Sequence, residues 1–156
     1  MNAIYLDSNI LIAYFSSDRS EAPRKRMIQR ALDVFAGAED VSLCTSAWAV
    51  TEMVNILISS KKIEPGEVSR IERRLLAHGV GGVPVRRLNV SPDPTYDFTR
   101  FFADVREGIL RYHSGVGDVI HSVIMKNHGI DSILTFDEKS DFKQIPGLTV
   151  IHPRNF

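Results

Sequence analysis

The feature that most constrains the fold of this chain is its beginning, where a short apolar run over residues 3–6 ends in Asp7. The length and bulk of that run predict a buried β-strand. Ser8 and Asn9 follow, and residues of these types end strands and begin helices. Because open α/β sheets bind ligands at the carboxyl ends of their strands, Asp7 is a candidate site residue. The alternative interpretation is that Asp7 or Ser8 only caps the next helix.

Further segments of the chain alternate between strand-like and helix-like patterns. Short apolar runs predict strands at 41–44, within 81–90, at 132–136 and at 148–151. Apolar stripes at helical spacing predict helices at about 10–15, 22–38, 45–59, 65–79, 94–112 and 116–129, and a short helical loop at 141–142. This order of elements predicts an α/β fold with a mainly parallel central sheet.

The length and composition indicate one soluble domain spanning residues 1–156. A chain of 156 residues can bury a sizeable core, and its 44% hydrophobic and 24% charged content is typical of globular proteins. No apolar run approaches the roughly 20 residues that span a bilayer. The start of the sequence lacks the pattern of a signal peptide, and a single cysteine excludes an internal disulfide. We therefore expect a cytoplasmic protein that does not bind membranes.

The net charge of zero means that any site for a polyanion must be a local patch. Two predicted helices carry basic clusters that could form one: Arg24, Lys25, Arg26 and Arg30 in the first, and Arg70, Arg73 and Arg74 in the second. Solvated helix faces are the alternative interpretation of both clusters.

Three more acidic residues occupy positions from which they could reach the same edge of the sheet as Asp7. Glu52 lies in the second turn of a predicted helix, among mostly apolar neighbours. Asp118 lies in the first turn of another helix, and Asp137 follows the strand predicted at 132–136. In a parallel sheet, all four acids can converge on the carboxyl edge.

A cluster of four carboxylates needs a cation, because like charges at close range would force one of them to take a proton. Oxygen ligands select a hard ion such as Mg²⁺ or Mn²⁺. The chemistry typical of such a site is hydrolysis of a phosphodiester. The histidines do not predict a metal site of their own, since His121 and His128 are separated by about 10 Å along one helix.

Several motifs together resemble those of PIN-domain nucleases. The sequence YLDSNIL at 5–11 is similar to the opening of that family, and Thr45 and Ser46 followed by Glu52 resemble its second acidic helix. GDVI at 117–120 and LTFD at 134–137, with DF at 141–142, resemble its third and last motifs. The order and separation of these motifs fit along essentially the whole chain.

This resemblance implies a PIN-like three-layer α/β/α fold and an Mg²⁺- or Mn²⁺-dependent endoribonuclease, similar to the VapC-type toxins of toxin–antitoxin pairs. It implies that the catalytic and metal-binding acids are Asp7, Glu52, Asp118 and Asp137. Asn9 and Thr135 would support them as polar groups, and Asp141 would be a further metal ligand. The partners implied are an RNA substrate, an antitoxin and a second copy of the chain.

The chain also departs from the family pattern. Val119, Ile120 and His121 stand where alanines often follow the third acid, and three residues separate Asp137 from Asp141. The apolar run 10–15 is longer than one helix face can easily bury, which favours a homodimer.

Three alternative functions are also compatible with parts of the sequence pattern. One is a PIN-domain RNA-processing nuclease without an antitoxin. Another is a haloacid-dehalogenase-like phosphatase, which needs a second aspartate where this chain has Asn9. The third is a non-catalytic receiver-like module, which also places acids at strand ends.

Overall fold

The computed structural model describes residues 2–137 and 141–156, with Asp141 described by its backbone alone. In this part of the chain, five strands form one parallel sheet in the order β3-β2-β1-β4-β5. The strands are β1 (Asn2–Leu6), β2 (Val41–Ser46), β3 (Val85–Leu88), β4 (Ser132–Leu134) and β5 (Thr149–Ile151). The predicted α/β fold with a mainly parallel sheet is confirmed.

Helices connect and cover these strands. They are α1 (Ser8–Phe15), α2 (Ala22–Ala36), α3 (Ala47–Ser59), α4 (Pro65–His78), α5 (Phe98–Tyr112) and α6 (Val116–Asn127). A 3-10 helix, Asp141–Gln144, occupies the position of the predicted helical loop. Within the described residues, no helix is both long enough and apolar enough to cross a membrane.

The helices form two layers, one on each face of the sheet. Ile4 and Leu6 of β1 pack in a core with α1, α2, α3 and α4. Tyr5, between them, points to the other face and packs in a second core with α5 and α6. Because both faces are covered, β1 is apolar from Ala3 to Leu6 rather than alternating with polar residues. The expected three-layer architecture is confirmed.

The predicted start of α5 at Pro94 is wrong. The helix begins at Phe98, where the Asp97 side chain accepts a hydrogen bond of 2.8 Å from the backbone N–H of Arg100. Before it, the Asp93 carboxylate accepts from the backbone N–H of Thr95. These side-chain bonds form a turn and then a helix cap, which outweigh the preference of proline for a first helical turn.

The apolar run 10–15 does not leave the surface surplus that we expected from it. Ile10 and Leu11 are fully buried and Phe15 is 7% exposed, all within the core of the same chain. The run is accommodated because α1 contacts both α2 and α3. The large exposed apolar side chains in the second layer lie on α5 and at the start of α6, and they are Phe98, Phe102, Leu110 and Val116.

Candidate active site

The carboxylate of Asp7 lies at the end of the central strand and is almost completely buried, with 5% of the residue exposed. Asp7 occupies the cap position of α1, but its side chain makes no capping hydrogen bond. Its Oδ2 instead accepts from Asn9 Nδ2 at 2.8 Å and from Thr135 Oγ1 at 2.7 Å. The capping interpretation of Asp7 is therefore wrong.

Asn9 and Thr135 tie Asp7 to the loop that follows β4. Asn9 Nδ2 is 2.8 Å from Thr135 Oγ1, and Asn9 Oδ1 accepts from the backbone N–H of Phe136 at 3.2 Å. Thr135 Oγ1 also accepts from the backbone N–H of Asp137 at 3.1 Å. The two residues that the family resemblance names as supporting groups thus connect the first acid to the segment that carries the last one.

Glu52 reaches the same place through His121, which is 1% exposed. His121 Nε2 lies 2.7 Å from Glu52 Oε2 and 3.6 Å from Asp7 Oδ1. A Cβ atom added at Gly117 would lie 3.1 Å from Glu52 Oε1, so the first turn of α6 packs directly against this carboxylate. Asp7 and Glu52 therefore face the same ring nitrogen, which is hydrogen-bonded to Glu52 and lies farther from Asp7.

The other ring nitrogen of His121 points into the second layer. Nδ1 lies 2.7 Å from the hydroxyl oxygen of Tyr5, which lies 2.5 Å from Ser46 Oγ. Ser46 Oγ also accepts from the backbone N–H of Ala49 at 3.0 Å and so caps α3. One continuous chain of hydrogen bonds thus runs from the start of α3 to Glu52 on the same helix.

Burial raises the pKa of two residues at the carboxyl end of β1, Asp7 and Tyr5. Desolvation raises the pKa of Asp7 above its usual value, and Glu52 adds to the rise, while His121 and the hydrogen bond from Thr135 lower it in part. Desolvation also raises the pKa of Tyr5 well above its usual value, so its hydroxyl keeps its proton.

The remaining candidate acids lie within a few residues of this cluster in the sequence. Asp118 is half-buried in the first turn of α6, beside Gly117, and Asp137 is exposed after β4. The side chain of Asp141 lies outside the described residues. Among the described side chains, no three from His, Cys, Asp and Glu are grouped closely enough to hold a metal ion.

The donor set nevertheless fits a hard divalent ion. Asp7 is a buried carboxylate whose raised pKa reports an environment that disfavours its negative charge. A second carboxylate, Glu52, faces the same nitrogen of the His121 ring, Nε2. A divalent cation bound by carboxylate oxygens would offset both the desolvation and the mutual repulsion.

His121 is the site residue that the sequence pattern did not identify. Its neighbours on α6 are apolar, and the helical periodicity placed Asp118 on the face of Ser122. One signal was available: His121 is three residues after Asp118, one helical turn away, on a helix that begins at the carboxyl edge of the sheet.

These observations define an α/β protein with an acidic site at the carboxyl edge of a parallel sheet. The family model for the PIN domain matches residues 4–148, and the chain belongs to this family. No curated protein matches the sequence significantly.

Solved structures of low sequence identity share the fold over nearly the whole chain. VapBC2 from Rickettsia felis, bound to a DNA fragment from its promoter, is 15% identical, with a TM-score of 0.66 over 96% of this chain and 98% of that one. VapC20 from Mycobacterium tuberculosis, a toxin that cleaves the sarcin-ricin loop, is 17% identical, with a TM-score of 0.61 over 90% and 92%. FitAB bound to a DNA fragment is 23% identical, with a TM-score of 0.57 over 98% and 96%.

The raised pKa of Asp7 leads to a prediction about stability. A raised pKa means that folding favours the protonated carboxyl, so the contribution of Asp7 is most favourable below its ordinary pKa of about 4 and is lost as the pH rises through the folded-state value. We expect Asp7→Asn, melted at neutral pH in EDTA, to be as stable as the wild type or more stable. The difference in melting temperature between Asp7→Asn and the wild type should disappear at acidic pH.

The matched control is Asp40→Asn, at an exposed turn, which should leave both the melting temperature and its pH dependence unchanged. A large drop in the melting temperature of Asp7→Asn alone would mean that the hydrogen bonds from Asn9 and Thr135 outweigh the cost of burying the charge.

Proposed function

We propose that this chain is a divalent-metal-dependent endoribonuclease that acts in the cytoplasm as the toxin of a toxin–antitoxin pair. The observation that carries the proposal is the buried Asp7 at the end of the central strand, joined through His121 to Glu52, in a member of a nuclease family. The fold shared with VapC20, a toxin that cleaves RNA of the sarcin-ricin loop, supports the choice of RNA as substrate.

The proposed ligands of the ion are Asp7, Glu52, Asp118 and Asp137, with Asp141 as a fifth candidate. When bound, Mg²⁺ or Mn²⁺ would polarise a phosphodiester and lower the pKa of water, so that the water could lose a proton and attack the phosphorus as hydroxide. The residues of the chain itself hold these ligands in position. Asn9 and Thr135 hold Oδ2 of Asp7, and the same threonine hydroxyl accepts from the backbone of Asp137.

A cation that packs on the ring of the residue before Asp137 supports a polyanionic substrate. The guanidinium of Arg24 lies 5.3 Å from the centre of the Phe136 ring, and Phe136 directly precedes Asp137. Arg24 is also 3.4 Å from Glu21, and more than half of its side chain is exposed. An exposed guanidinium beside the site is suited to pair with a phosphate of the RNA backbone.

The proposal predicts that purified protein cleaves RNA when Mg²⁺ or Mn²⁺ is present and that EDTA stops the cleavage. Asp7→Asn and Glu52→Gln should each lower the rate by two orders of magnitude or more, since each removes a charged ligand. Gel analysis of structured and unstructured RNAs measures both effects. Asp40→Asn, which should cleave as the wild type does, is the control, and cleavage that is indifferent to EDTA would refute the metal mechanism.

An antitoxin partner is supported by charge and by the assemblies of structurally similar proteins. A toxin–antitoxin complex from Klebsiella pneumoniae shares this fold, as do VapBC2 and FitAB, each of which was solved with a DNA fragment. Without metal, the carboxylates proposed as ligands would attract a cation, so an arginine or lysine from a partner could pair with them in place of the ion.

We therefore expect the product of an adjacent gene to inhibit cleavage when it is titrated in, and added Mg²⁺ to oppose that inhibition. The measurement is the cleavage rate at several Mg²⁺ concentrations. Inhibition that Mg²⁺ does not affect would mean that the partner blocks access of RNA elsewhere. If no neighbouring product inhibits, the RNA-processing alternative is favoured.

A homodimer is proposed through α5. Phe98 and Phe102 are 69% and 52% exposed and border an apolar groove of about 250 Å³, whose other walls include Trp48 and Ile120. Exposed aromatic side chains beside an apolar groove are typical of protein interfaces.

If α5 forms the interface, Phe102→Asp should convert a dimer into a monomer, because it buries a charge against an apolar surface. Val34→Asp is the matched control, since Val34 is 54% exposed on α2 and its variant should remain dimeric. Light scattering at micromolar concentration measures both. A monomeric wild type would refute the dimer, and a dimeric Phe102→Asp would refute this interface.

Two of the alternatives conflict with the fold and the site. A receiver-like module has the strand order 2-1-3-4-5, whereas this sheet has β1 between β2 and β4. A phosphatase with a second aspartate would need an acid where Asn9 donates a hydrogen bond to Asp7. Neither interpretation accounts for Glu52.

A further inference from the structure

The buried ring of His121 raises the question of which nitrogen carries a proton. Nε2 lies 2.7 Å from Glu52 Oε2, and two lone pairs at that distance would repel each other. A carboxylate only accepts hydrogen bonds. The contact between the two residues is therefore satisfied when Nε2 carries the proton and donates it.

The groups on the other side of the ring are consistent with this assignment. Ser46 Oγ already accepts from the backbone N–H of Ala49, and its own hydrogen is then available to the Tyr5 oxygen at 2.5 Å. Tyr5, which keeps its proton because burial raises its pKa, can donate to Nδ1 of His121 at 2.7 Å. The direction of donation then runs from Ala49 through Ser46, Tyr5 and His121 to Glu52, and each of these contacts pairs one donor with one acceptor.

We propose that His121 is a positioning residue for Glu52, held by Tyr5 so that its Nε2–H group fixes the carboxylate toward the site of the divalent ion. This inference rests on the proposed function, because the ion is part of that function. The ring itself does not coordinate the ion, since its Nε2 lone pair is replaced by a proton. Hydrogen bonds from outer groups orient the carboxylates that bind metals, and their loss typically weakens binding about 10- to 100-fold.

The sequence of α6 supports a specific role over simple packing. His121 is 1% exposed on a helix whose other buried residues are apolar or small, and both of its nitrogens have partners from distant parts of the chain. An apolar residue would fill the space but would leave a Glu52 oxygen and the Tyr5 hydroxyl without these partners.

The test measures binding of Mn²⁺ alone, without RNA, from the loss of the electron paramagnetic resonance signal of the free ion. His121→Leu, which keeps the volume but removes both nitrogens, should weaken binding about 10- to 100-fold. His121→Gln keeps an N–H group near the position of Nε2 and should restore most of the affinity. Tyr5→Phe should weaken binding less than His121→Leu, because the ring remains but loses its hydrogen-bonded support.

The control is His128→Gln, because His128 is at the other end of α6 and its Nε2 lies 2.9 Å from the carbonyl oxygen of Asn89. That variant should bind Mn²⁺ as the wild type does. Equal affinity in the wild type and His121→Leu, or failure of His121→Gln to restore it, would overturn the positioning role. If His121→Leu does not fold, unchanged affinity in Tyr5→Phe would overturn it instead.

A second measurement is independent of the metal. Nitrogen NMR of the metal-free wild type should show a proton on Nε2 of His121, and a ring that carries its proton on Nδ1 alone would overturn the assignment. If the wild type binds no Mn²⁺ yet shows the proton on Nε2, the proposed metal site is refuted and the positioning role falls with it. If it binds Mn²⁺ and His121→Leu binds equally, only the positioning role is refuted.

Discussion

The site depends on one buried carboxylate at the end of the central strand. Asp7 is fixed because β1 pairs with a strand on each side, so the backbone that carries it cannot shift without breaking two ladders. A buried charge is tolerated only when it is hydrogen-bonded or paired. Asn9 from α1 and Thr135 from the end of β4 meet this requirement by donating to Oδ2, and His121 from α6 lies 3.6 Å from Oδ1. The convergence of these three elements is a consequence of where β1 places its terminal acid.

Much of the fold could be predicted from the sequence because it is encoded locally. The apolar run in β1 and the helical stripes of α2 and α4 reflect burial, which depends on the pattern of nearby residues. The start of α5 was mispredicted because two local preferences compete there. Proline at 94 favours a first helical turn, but the Asp97 side chain caps the helix that begins at Phe98. The surface surplus of 10–15 was mispredicted because burial of α1 depends on two helices that pack on it from elsewhere in the chain.

The candidate site was only partly predictable for the same reason. Asp7, Asn9 and Thr135 follow strand ends, so the topology of a parallel sheet is enough to bring them together. The contacts of His121 join residues 116 and 69 positions away, and no local pattern encodes them. Helical periodicity gives the face of a residue relative to its own helix. It does not report that Tyr5, on the opposite side of the strand from Leu6, sends its hydroxyl to α6.

The hydrogen bond from His121 limits the positions that Glu52 can adopt. His121 Nε2 lies 2.7 Å from Glu52 Oε2, while the other carboxylate oxygen, Oε1, faces the first turn of α6 at Gly117. A hydrogen bond offsets part of the cost of removing a carboxylate from water, and it uses only part of the accepting capacity of the two oxygens. The carboxylate is therefore held in one place by a contact that does not by itself exclude a further cation. In the proposed site, the same arrangement would serve a metal ion or a cationic side chain of a partner.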